Sequence, residues 1–246
     1  MLGPWATEMV RQLLAWIYPN ACLVCDALEQ PPEWLRHGLC GPCYRAITGD
    51  GHESCPRCGQ TIGPHTLVDG GCPHCRAVSF PFERVFRLGP YTGRLREAIL
   101  RIKAASGEGL AEMLGRVWAE SRGGLLPCSE IDGVVPVPLH WRRKWTRGYN
   151  QAEAVARELA RYLSLPFWPR VLRRVRSTPQ QLQPSRAARR DNVRGAFCVR
   201  RGAKLAGRTL LLVDDVMTTG STLSEAAQTL RHAGAARVFV AVLARD

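Results

Sequence analysis

The chain has 246 residues, of which 46% are hydrophobic and 22% are charged, as in ordinary globular proteins, and its length allows one large domain or two unequal ones. No apolar run approaches the roughly 18 residues that a membrane-spanning helix needs, which excludes an integral membrane protein. Apolar residues recur along most of the chain, which also excludes low-complexity disorder.

The formal net charge of +13 is unevenly distributed along the chain. Residues 1–80 have a net charge of −2, whereas residues 136–208 contain 18 basic and three acidic side chains. Such a basic stretch predicts an anionic partner, either a nucleic acid or a small polyphosphate. Most of the cations are arginines, which bind phosphate through two parallel hydrogen bonds, although the base composition of the genome would account for the arginines equally well.

Eight of the ten cysteines form four CxxC pairs within residues 1–80. Two such knuckles complete a tetrahedral Zn²⁺ site, so four of them predict two sites. The alternative is a disulfide framework, which needs an oxidising compartment, and no secretory signal is recognisable in the first residues. Consecutive pairing is favoured over interleaved pairing, and it gives one site of Cys22, Cys25, Cys40 and Cys43 and another of Cys55, Cys58, Cys72 and Cys75.

Each predicted zinc site is filled by four thiolates and leaves no position for water or substrate, which is typical of structural sites. The nearby His37, His52, His65 and His74 are therefore expected at the surface. We expect a double zinc-ribbon domain over residues 21–80. Before it, residues 1–20 have apolar side chains at helical spacing and predict an amphipathic helix that packs on the zinc module or on a partner. A single cation, Arg11, disfavours a membrane-surface helix.

Residues 81–246 have a different pattern, in which apolar strands alternate with amphipathic helices. The predicted strands cover residues 84–90, 131–137, 196–199, 209–213 and 237–243. The predicted helices cover residues 93–103, 110–122, 150–163 and 221–233. This order predicts an α/β domain with a mainly parallel sheet and helices on both faces. Ligands of such sheets bind at the carboxyl ends of the strands.

The segment LLLVDDVMTTGSTL, residues 210–223, combines two features of a sugar-phosphate site. Asp214 and Asp215 follow an apolar strand, and adjacent carboxylates accept hydrogen bonds from a vicinal diol or from water on a divalent cation. The loop of residues 218–222 is rich in hydroxyl groups and precedes a helix, whose free N–H groups suit a phosphate. A diol beside a phosphate describes ribose 5-phosphate. Paired aspartates also occur in receiver domains, and such a loop alone can be a simple N-cap.

The stretch VDDVMTTGST resembles the phosphoribosyl pyrophosphate (PRPP) motif of type I phosphoribosyltransferases. Over nearly its whole length, the chain is similar to the ComF family, which comprises competence protein F and GntX-like proteins. The similarity includes the four CxxC pairs, VVPVPLHWRRKWTRGYNQA at 134–152 and STPQQLQPSRAARRDNVRGAF at 177–197. It therefore implies a type I phosphoribosyltransferase-like fold behind a double zinc ribbon.

The resemblance also implies residue roles. Asp214 and Asp215 would contact the ribose hydroxyls and organise Mg²⁺. The 5-phosphate would be held by Thr218, Thr219, Gly220, Ser221 and Thr222. The pyrophosphate loop would contain Pro138, Leu139 and His140, and the nearby cations Arg142, Arg143, Lys144 and Arg147 would neutralise the diphosphate. A hood over residues 178–194 would bring Gln180, Gln181, Arg186, Arg189 and Asn192 to the leaving group.

The family resemblance implies a cytoplasmic, Mg²⁺-dependent transfer of phosphoribosyl from PRPP to an unknown acceptor, linked to DNA uptake in competence. No Ser, His or Cys nucleophile is needed for this displacement. The alternative is a non-catalytic, PRPP-sensing adaptor on single-stranded DNA, with a DNA surface of zinc knuckles, Trp141, Trp145 and the arginine-rich residues 170–208. Trp141 and Trp145 are four residues apart, which favours a core stripe over a DNA surface. A helicase-like partner in the competence machinery would dock on the zinc module.

Overall fold

The structure, a computed structural model, describes residues 21–28, 38–66, 68–176 and 191–246. Three predicted features lie outside these residues. They are the N-terminal helix of residues 1–20, the side chain of His37 and most of the predicted hood, including Gln180, Gln181, Arg186 and Arg189.

The α/β pattern predicted from the sequence is confirmed. The strands are β1 (Val85–Pro90), β2 (Gly133–Pro136), β3 (Leu172–Arg174), β4 (Phe197–Val199), β5 (Thr209–Met217) and β6 (Arg237–Arg245). The helices are α1 (Gly41–Thr48), α2 (Gly93–Arg101), α3 (Glu108–Arg122), α4 (Trp141–Arg147), α5 (Gln151–Tyr162) and α6 (Ser221–His232). Sequence reasoning did not predict α1, α4 or β3, which are short and have few apolar residues in a regular pattern.

Four parallel strands form the main sheet, in the order β1-β6-β5-β2. β6 is the last strand in the sequence, yet it lies between β1 and β5. β3 and β4 form a separate antiparallel pair. Because β1 and β6 are far apart in the sequence, the sheet is completed by a long-range pairing that brings Val85 opposite Val240.

Both faces of the sheet are covered, as predicted. On β5, Leu211 and Val213 join the core cluster that contains α2, α3 and α5, whereas Leu210 and Leu212 join the cluster that contains α6, β3 and β4. This division follows from the alternation of side chains along a strand. The strand is therefore apolar on both sides, as parallel strands buried between two helical layers usually are.

The zinc-ribbon segment packs along the edge strand β1. The β1 residue Val85 donates its N–H to the carbonyl of Pro56 at 2.8 Å. Arg87 of β1 forms a buried ion pair with Asp50 at 2.9 Å, with side-chain exposures of 3% and 7%. From α3, Arg122 donates to the carbonyls of Thr48, Asp50 and Leu88. The segment thus covers a strand edge that would otherwise present unpaired backbone groups.

Candidate functional site

The eight CxxC cysteines lie in two clusters with the predicted consecutive membership. Within each cluster all four sulfur atoms lie within 4.8 Å of one another. The Sγ atoms of Cys25 and Cys40 are 3.7 Å apart, and those of Cys58 and Cys72 are 3.6 Å apart. A tetrahedral zinc ion with Zn–S bonds of about 2.3 Å requires sulfur separations of about 3.8 Å, so both clusters fit structural Zn²⁺.

The surroundings of the thiols also fit metal ligation. Burial raises the pKa of the Cys55 thiol, but backbone hydrogen bonds at Cys72 and Cys58 outweigh it and bring that pKa to about 7. Cys22 in the first cluster has the same balance, with a pKa of about 7. Burial raises the pKa of Cys40 and Cys43 in the first cluster and of Cys58 and Cys75 in the second, so one thiol of each cluster ionises readily and a bound metal ion would be needed to deprotonate the others. The predicted surface positions of His52, His65 and His74 are confirmed, since all three side chains are exposed.

Strand β5 places the paired aspartates at the carboxyl edge of the sheet. Contrary to the predicted end at residue 213, β5 continues through Asp214 and Asp215 to Met217 because β6 pairs with it along its whole length. β2, on the other side, ends at Pro136 opposite Val213. The aspartates therefore lie just beyond β2, where β5 has lost one neighbour and the space beside it is open.

Asp214 and Asp215 are consecutive residues, and their carboxyl groups lie close enough to interact with each other. Burial raises the pKa of Asp214 well above its usual value, and the charge of Asp215 adds to this rise. The N–H of Asp215 donates to Asp214 Oδ1 at 2.9 Å, and the nearby Arg174 lowers the same pKa. The charged form of Asp214 is therefore destabilised, and a cation or a hydrogen-bond donor from a ligand would stabilise it.

The loop after β5 leads directly into α6. Gly220 has φ +80° at the N-cap, and a Cβ there would lie 2.6 Å from Met217 Cε and 3.3 Å from Phe80, so the position requires glycine. The hydroxyls of Thr219 and Ser221 are 2.9 Å apart. The N-cap residue Gly220 has no side chain to cap the helix, Thr219 Oγ1 accepts a long hydrogen bond of 3.4 Å from the N–H of Ser221, and the first turn contains no acidic residue. Its N–H groups and dipole are therefore directed at a site that suits an anion.

A cavity of about 440 Å³ joins these features at the carboxyl edge of the sheet, and we call it the carboxyl-edge cavity. The predicted site residues that line it are Pro138, Leu139, Arg143, Arg147, Asn192, Asp214, Asp215 and residues 218–222. His140 is absent from the lining, since its buried ring lies beside the indole of Trp141. The side chain of Arg142 is not described.

Two cations of this cavity were missed by sequence reasoning. Lys103 follows α2, and Arg174 lies on β3, where its guanidinium packs over the ring of Phe197 at 5.4 Å from the centroid. Burial lowers the pKa of Arg174, as does the charge of Arg143, whereas Asp214 raises it. The arginine-rich run of residues 170–176 was the available signal, but spacing alone does not show which of its arginines turns inward.

The N-terminus of α5 forms another wall. Asn150, Gln151 and Ala152 line the cavity, and Asn150 Nδ2 donates to the carbonyl of Val137 at 3.0 Å, which ties the Pro138–Leu139 turn to the helix. Asn150 Oδ1 and Gln151 Nε2 are buried and have no hydrogen-bond partner among the described residues. A bound ligand is the usual reason for such groups in a cavity wall.

The second zinc cluster is connected to the phosphate-type loop by Arg245 at the end of β6. Arg245 donates from Nε to the carbonyl of Cys58 at 2.9 Å and from Nη1 to the carbonyl of Met217 at 3.1 Å. Phe80, just after the second ribbon, packs near Gly220. The geometry of this loop therefore depends on the folding of the second zinc ribbon.

The two tryptophans of α4 contradict the favoured core interpretation. The side chains of Trp141 and Trp145 are 58% and 81% exposed. The reason is that α4 is short and carries several cations, so no face of it is apolar enough to pack on the sheet.

Among the described residues, no helix has the length and apolar character needed to span a bilayer.

Comparison with known proteins agrees with this geometry. A family model described as a phosphoribosyl transferase domain matches residues 146–246, and one described as a double zinc ribbon domain matches residues 13–79. Fold and site therefore define a phosphoribosyltransferase-fold protein with an N-terminal double zinc ribbon. The predicted domain boundaries at residues 20 and 80 stay predictions.

The curated relatives place the chain in a narrower group. It is 34% identical to the DNA utilization protein YhgH of Salmonella typhi over 235 residues, which cover 92% of this chain and 97% of that protein. It is 32% identical to competence protein F of Haemophilus influenzae, over 85% of this chain and 91% of that one. The chain belongs to the family of competence protein F. Among solved structures, a glutamine PRPP amidotransferase from B. subtilis matches with 25% identity and a TM-score of 0.38, over 57% of this chain and 26% of that one.

Proposed function

We propose that the protein binds PRPP with Mg²⁺ in the carboxyl-edge cavity and transfers its phosphoribosyl group to an acceptor. The observation that carries the proposal is that two carboxylates and a hydroxyl-rich helix N-terminus line one cavity of about 440 Å³. PRPP presents a diol, a phosphate monoester and a diphosphate, and each has a chemically matched wall there.

The charges around the cavity support a polyanionic ligand. Lys103, Arg143, Arg147 and Arg174 line it, against the carboxylates of Asp214 and Asp215. The carboxylates fit the ribose hydroxyls and the water shell of Mg²⁺, which prefers oxygen ligands. When bound, Mg²⁺ would neutralise diphosphate oxygens and so improve the leaving group.

The chemistry that follows is a displacement at the anomeric carbon of the ribose. The bond from that carbon to the diphosphate oxygen breaks, the diphosphate leaves with the electron pair, and the acceptor nucleophile forms the new bond. Thr219, Ser221 and the α6 N-terminus would hold the 5-phosphate, while Arg143 and Arg174 would stabilise the departing charge. In the predicted roles, Arg186 and Arg189 would add cations from the hood. No covalent enzyme intermediate is required.

The first experiment is titration calorimetry of the zinc-loaded protein with PRPP, in buffer with Mg²⁺ and in the same buffer without Mg²⁺ and without a chelator, because a chelator would remove the structural zinc. We expect micromolar affinity that depends on Mg²⁺. A correctly folded protein that does not bind PRPP would overturn the proposal. Release of diphosphate is then measured with single bases, nucleosides and amines as acceptors, because turnover with any of them separates an enzyme from a sensor.

A second candidate function is a PRPP-sensing adaptor that binds single-stranded DNA without turnover. The observation that favours it is the exposure of Trp141 and Trp145 on the cationic helix α4, which begins directly after the Pro138–His140 turn. Exposed aromatic rings beside cations stack on the bases of single strands. The names of the relatives, which concern DNA utilization and competence, support a link to DNA in competence. The helicase-like partner on the zinc ribbon stays a prediction.

We also place the protein in the cytoplasm. Eight thiolates that bind zinc must stay reduced, and a reducing compartment provides this condition. Fractionation of cells that express the tagged full chain would test the location, and recovery in the periplasm or culture medium would contradict it.

A further inference from the structure

A second cavity, of about 550 Å³, lies at the other edge of the sheet. Its lining includes Arg208, which directly precedes β5. It also includes Trp168, whose backbone N–H donates to the carbonyl of Val134 near the start of β2. These contacts place it at the amino-terminal ends of β5 and β2, and we call it the amino-edge cavity. It shares no lining residue with the carboxyl-edge cavity.

The charged residues that line the amino-edge cavity are all cations: Arg170, Arg200, Arg201, Lys204 and Arg208. Only Arg208 has a carboxylate partner among the described residues, Asp132 at 2.6 Å. Like charges gathered around one concave space repel each other, which costs stability unless an anion offsets the repulsion. The lining therefore points to an anionic ligand.

The floor of the cavity adds a planar apolar surface. The ring of the half-buried Trp168 lies over the backbone of Gly133, so close that a Cβ there would lie 2.6 Å from Trp168 Cδ2 and 2.8 Å from Cε2. Glycine is thus required for the indole to sit where it does. An aromatic face beside arginines suits a ligand that combines a flat ring with a phosphate.

Backbone hydrogen bonds fix the walls of the amino-edge cavity. Arg200 donates its N–H to the carbonyl of Val171 at 2.9 Å, and Ala203 donates to that of Arg200 at 3.2 Å. The turn that presents Arg200, Arg201 and Lys204 is therefore fixed against β3. The volume lies within the roughly 300–1,000 Å³ of pre-formed small-ligand sites.

We propose that the amino-edge cavity is a second, Mg²⁺-independent site, which takes a nucleotide by stacking its base on Trp168 and pairing its phosphate with Arg201 and Lys204. The same chemistry is offered by a free nucleoside monophosphate and by one nucleotide of single-stranded DNA. The proposal goes beyond PRPP binding, because no residue of the carboxyl-edge cavity takes part.

The test uses the full zinc-loaded chain in Mg²⁺-free buffer without a chelator, because EDTA binds Zn²⁺ more tightly than Mg²⁺ and would remove the structural zinc. Binding of a fluorescein-labelled oligothymidylate is measured by anisotropy at several salt concentrations. Arg201→Gln/Lys204→Gln should weaken binding about tenfold or more and lower the salt slope by about 0.7, the value for one lost phosphate contact on a single strand. The control, Arg94→Gln/Arg157→Gln, removes the same charge from exposed surface ion pairs and should change binding less than twofold.

Stacking is tested by Trp168→Leu, which should weaken binding roughly 5- to 100-fold. Unlabelled dTMP and oligothymidylate serve as competitors, and whichever displaces the probe at the lower nucleotide concentration identifies the source of the ligand. Polyglutamate of equal charge should not compete. Equal competition by polyglutamate, or unchanged binding by the Arg201/Lys204 variant, overturns the proposal. PRPP calorimetry on the same variants should give wild-type affinity, so a failure here and a failure of PRPP binding stay distinguishable.

Discussion

The two cavities at opposite edges of one sheet differ in the charges that line them. Both are lined by several cations, but the carboxyl-edge cavity also contains Asp214 and Asp215, whereas none of the described carboxylates lines the amino-edge cavity. Carboxylates in a basic cavity weaken its attraction for a simple anion. Their presence therefore indicates a ligand that also brings hydroxyls or a metal ion, while their absence indicates an anion that binds by charge and stacking alone.

The comparison is tested most severely by Asp214→Asn/Asp215→Asn. This variant should lower the Mg²⁺-dependent affinity for PRPP by at least about 100-fold, because it removes two charged partners from a buried site. Oligothymidylate binding in Mg²⁺-free buffer should stay within twofold of wild type. Calorimetry and anisotropy measure the two affinities. Equal losses of PRPP affinity and of oligothymidylate affinity would show that the two cavities are not independent.

Thermal unfolding of the same variant provides a control for folding. Burial and the neighbouring Asp215 disfavour the charged form of Asp214. The neutral amides should therefore leave the melting temperature of the ligand-free protein unchanged or higher at pH 7. A large decrease would mean that the aspartates serve folding rather than binding.

The next largest effect is expected from disruption of the zinc ribbons, which should act on PRPP binding in the carboxyl-edge cavity. Cys58→Ser should weaken PRPP binding about tenfold or more, because Arg245 links the carbonyl of Cys58 to that of Met217 beside the phosphate-type loop. Cys25→Ser in the first ribbon is the matched control and should have a smaller effect on PRPP at equal zinc loss. Zinc content by mass spectrometry and PRPP affinity are measured together. Identical effects of the two variants would contradict the coupling through Arg245.

The arginines of β3 offer a finer test. Arg174→Gln should lower PRPP affinity about tenfold, since the lost guanidinium faces the ligand side of Asp214. Arg173→Gln, at the exposed neighbouring position, should change it less than twofold. Calorimetry at one salt concentration suffices for this pair. A larger effect of Arg173 would reverse the assignment of the inward-facing arginine.

The pH dependence should also differ between the cavities. The raised pKa of Asp214 means that the ligand-free protein retains a proton above the usual range of aspartate, and Mg²⁺–PRPP binding releases it. Affinity for PRPP should therefore rise with pH up to the raised pKa, and calorimetry in buffers of different ionisation enthalpy should detect the released proton. Nucleotide binding in Mg²⁺-free buffer should lack this proton release. Proton uptake instead of release would contradict the assignment.

The smallest effect is expected from Trp141→Ala/Trp145→Ala. Both indoles are largely exposed, so the free energy of unfolding should change by less than about 1 kcal/mol and PRPP affinity should stay the same. Urea denaturation measures the first quantity. If the variant loses single-stranded DNA binding while Trp168→Leu retains it, the DNA surface lies on α4 and not at the amino edge.

Much of the fold was predictable because apolar residues recur with clear periods. Leu210 to Val213 form a continuous apolar run, and the Asp214–Asp215 pair follows it, so the strand and the site could be located together. The spacing of the CxxC pairs likewise predicted the zinc clusters, and the compactness of each block favoured the observed pairing.

The features that were missed depend on contacts between distant segments. β5 extends past residue 213 because β6 continues to pair with it, and no local pattern shows this. Lys103 and Arg174 reach the cavity from elements remote in sequence. The exposure of Trp145 follows from the lack of an apolar partner for α4, whereas the four-residue spacing of the tryptophans fits a buried stripe equally well.

The position of β6 has a consequence for synthesis on the ribosome. The ligands of both zinc clusters lie within residues 22–75, so each ribbon can load metal early in translation. β1, which follows them, must wait for Arg237–Arg245 before it gains β6, its one partner strand in the part of the main sheet that the structure describes. During that interval the nascent ribbons can shield the edge of β1 from neighbouring chains. Zinc supply would thus govern the yield of native protein during translation, before any ligand is present.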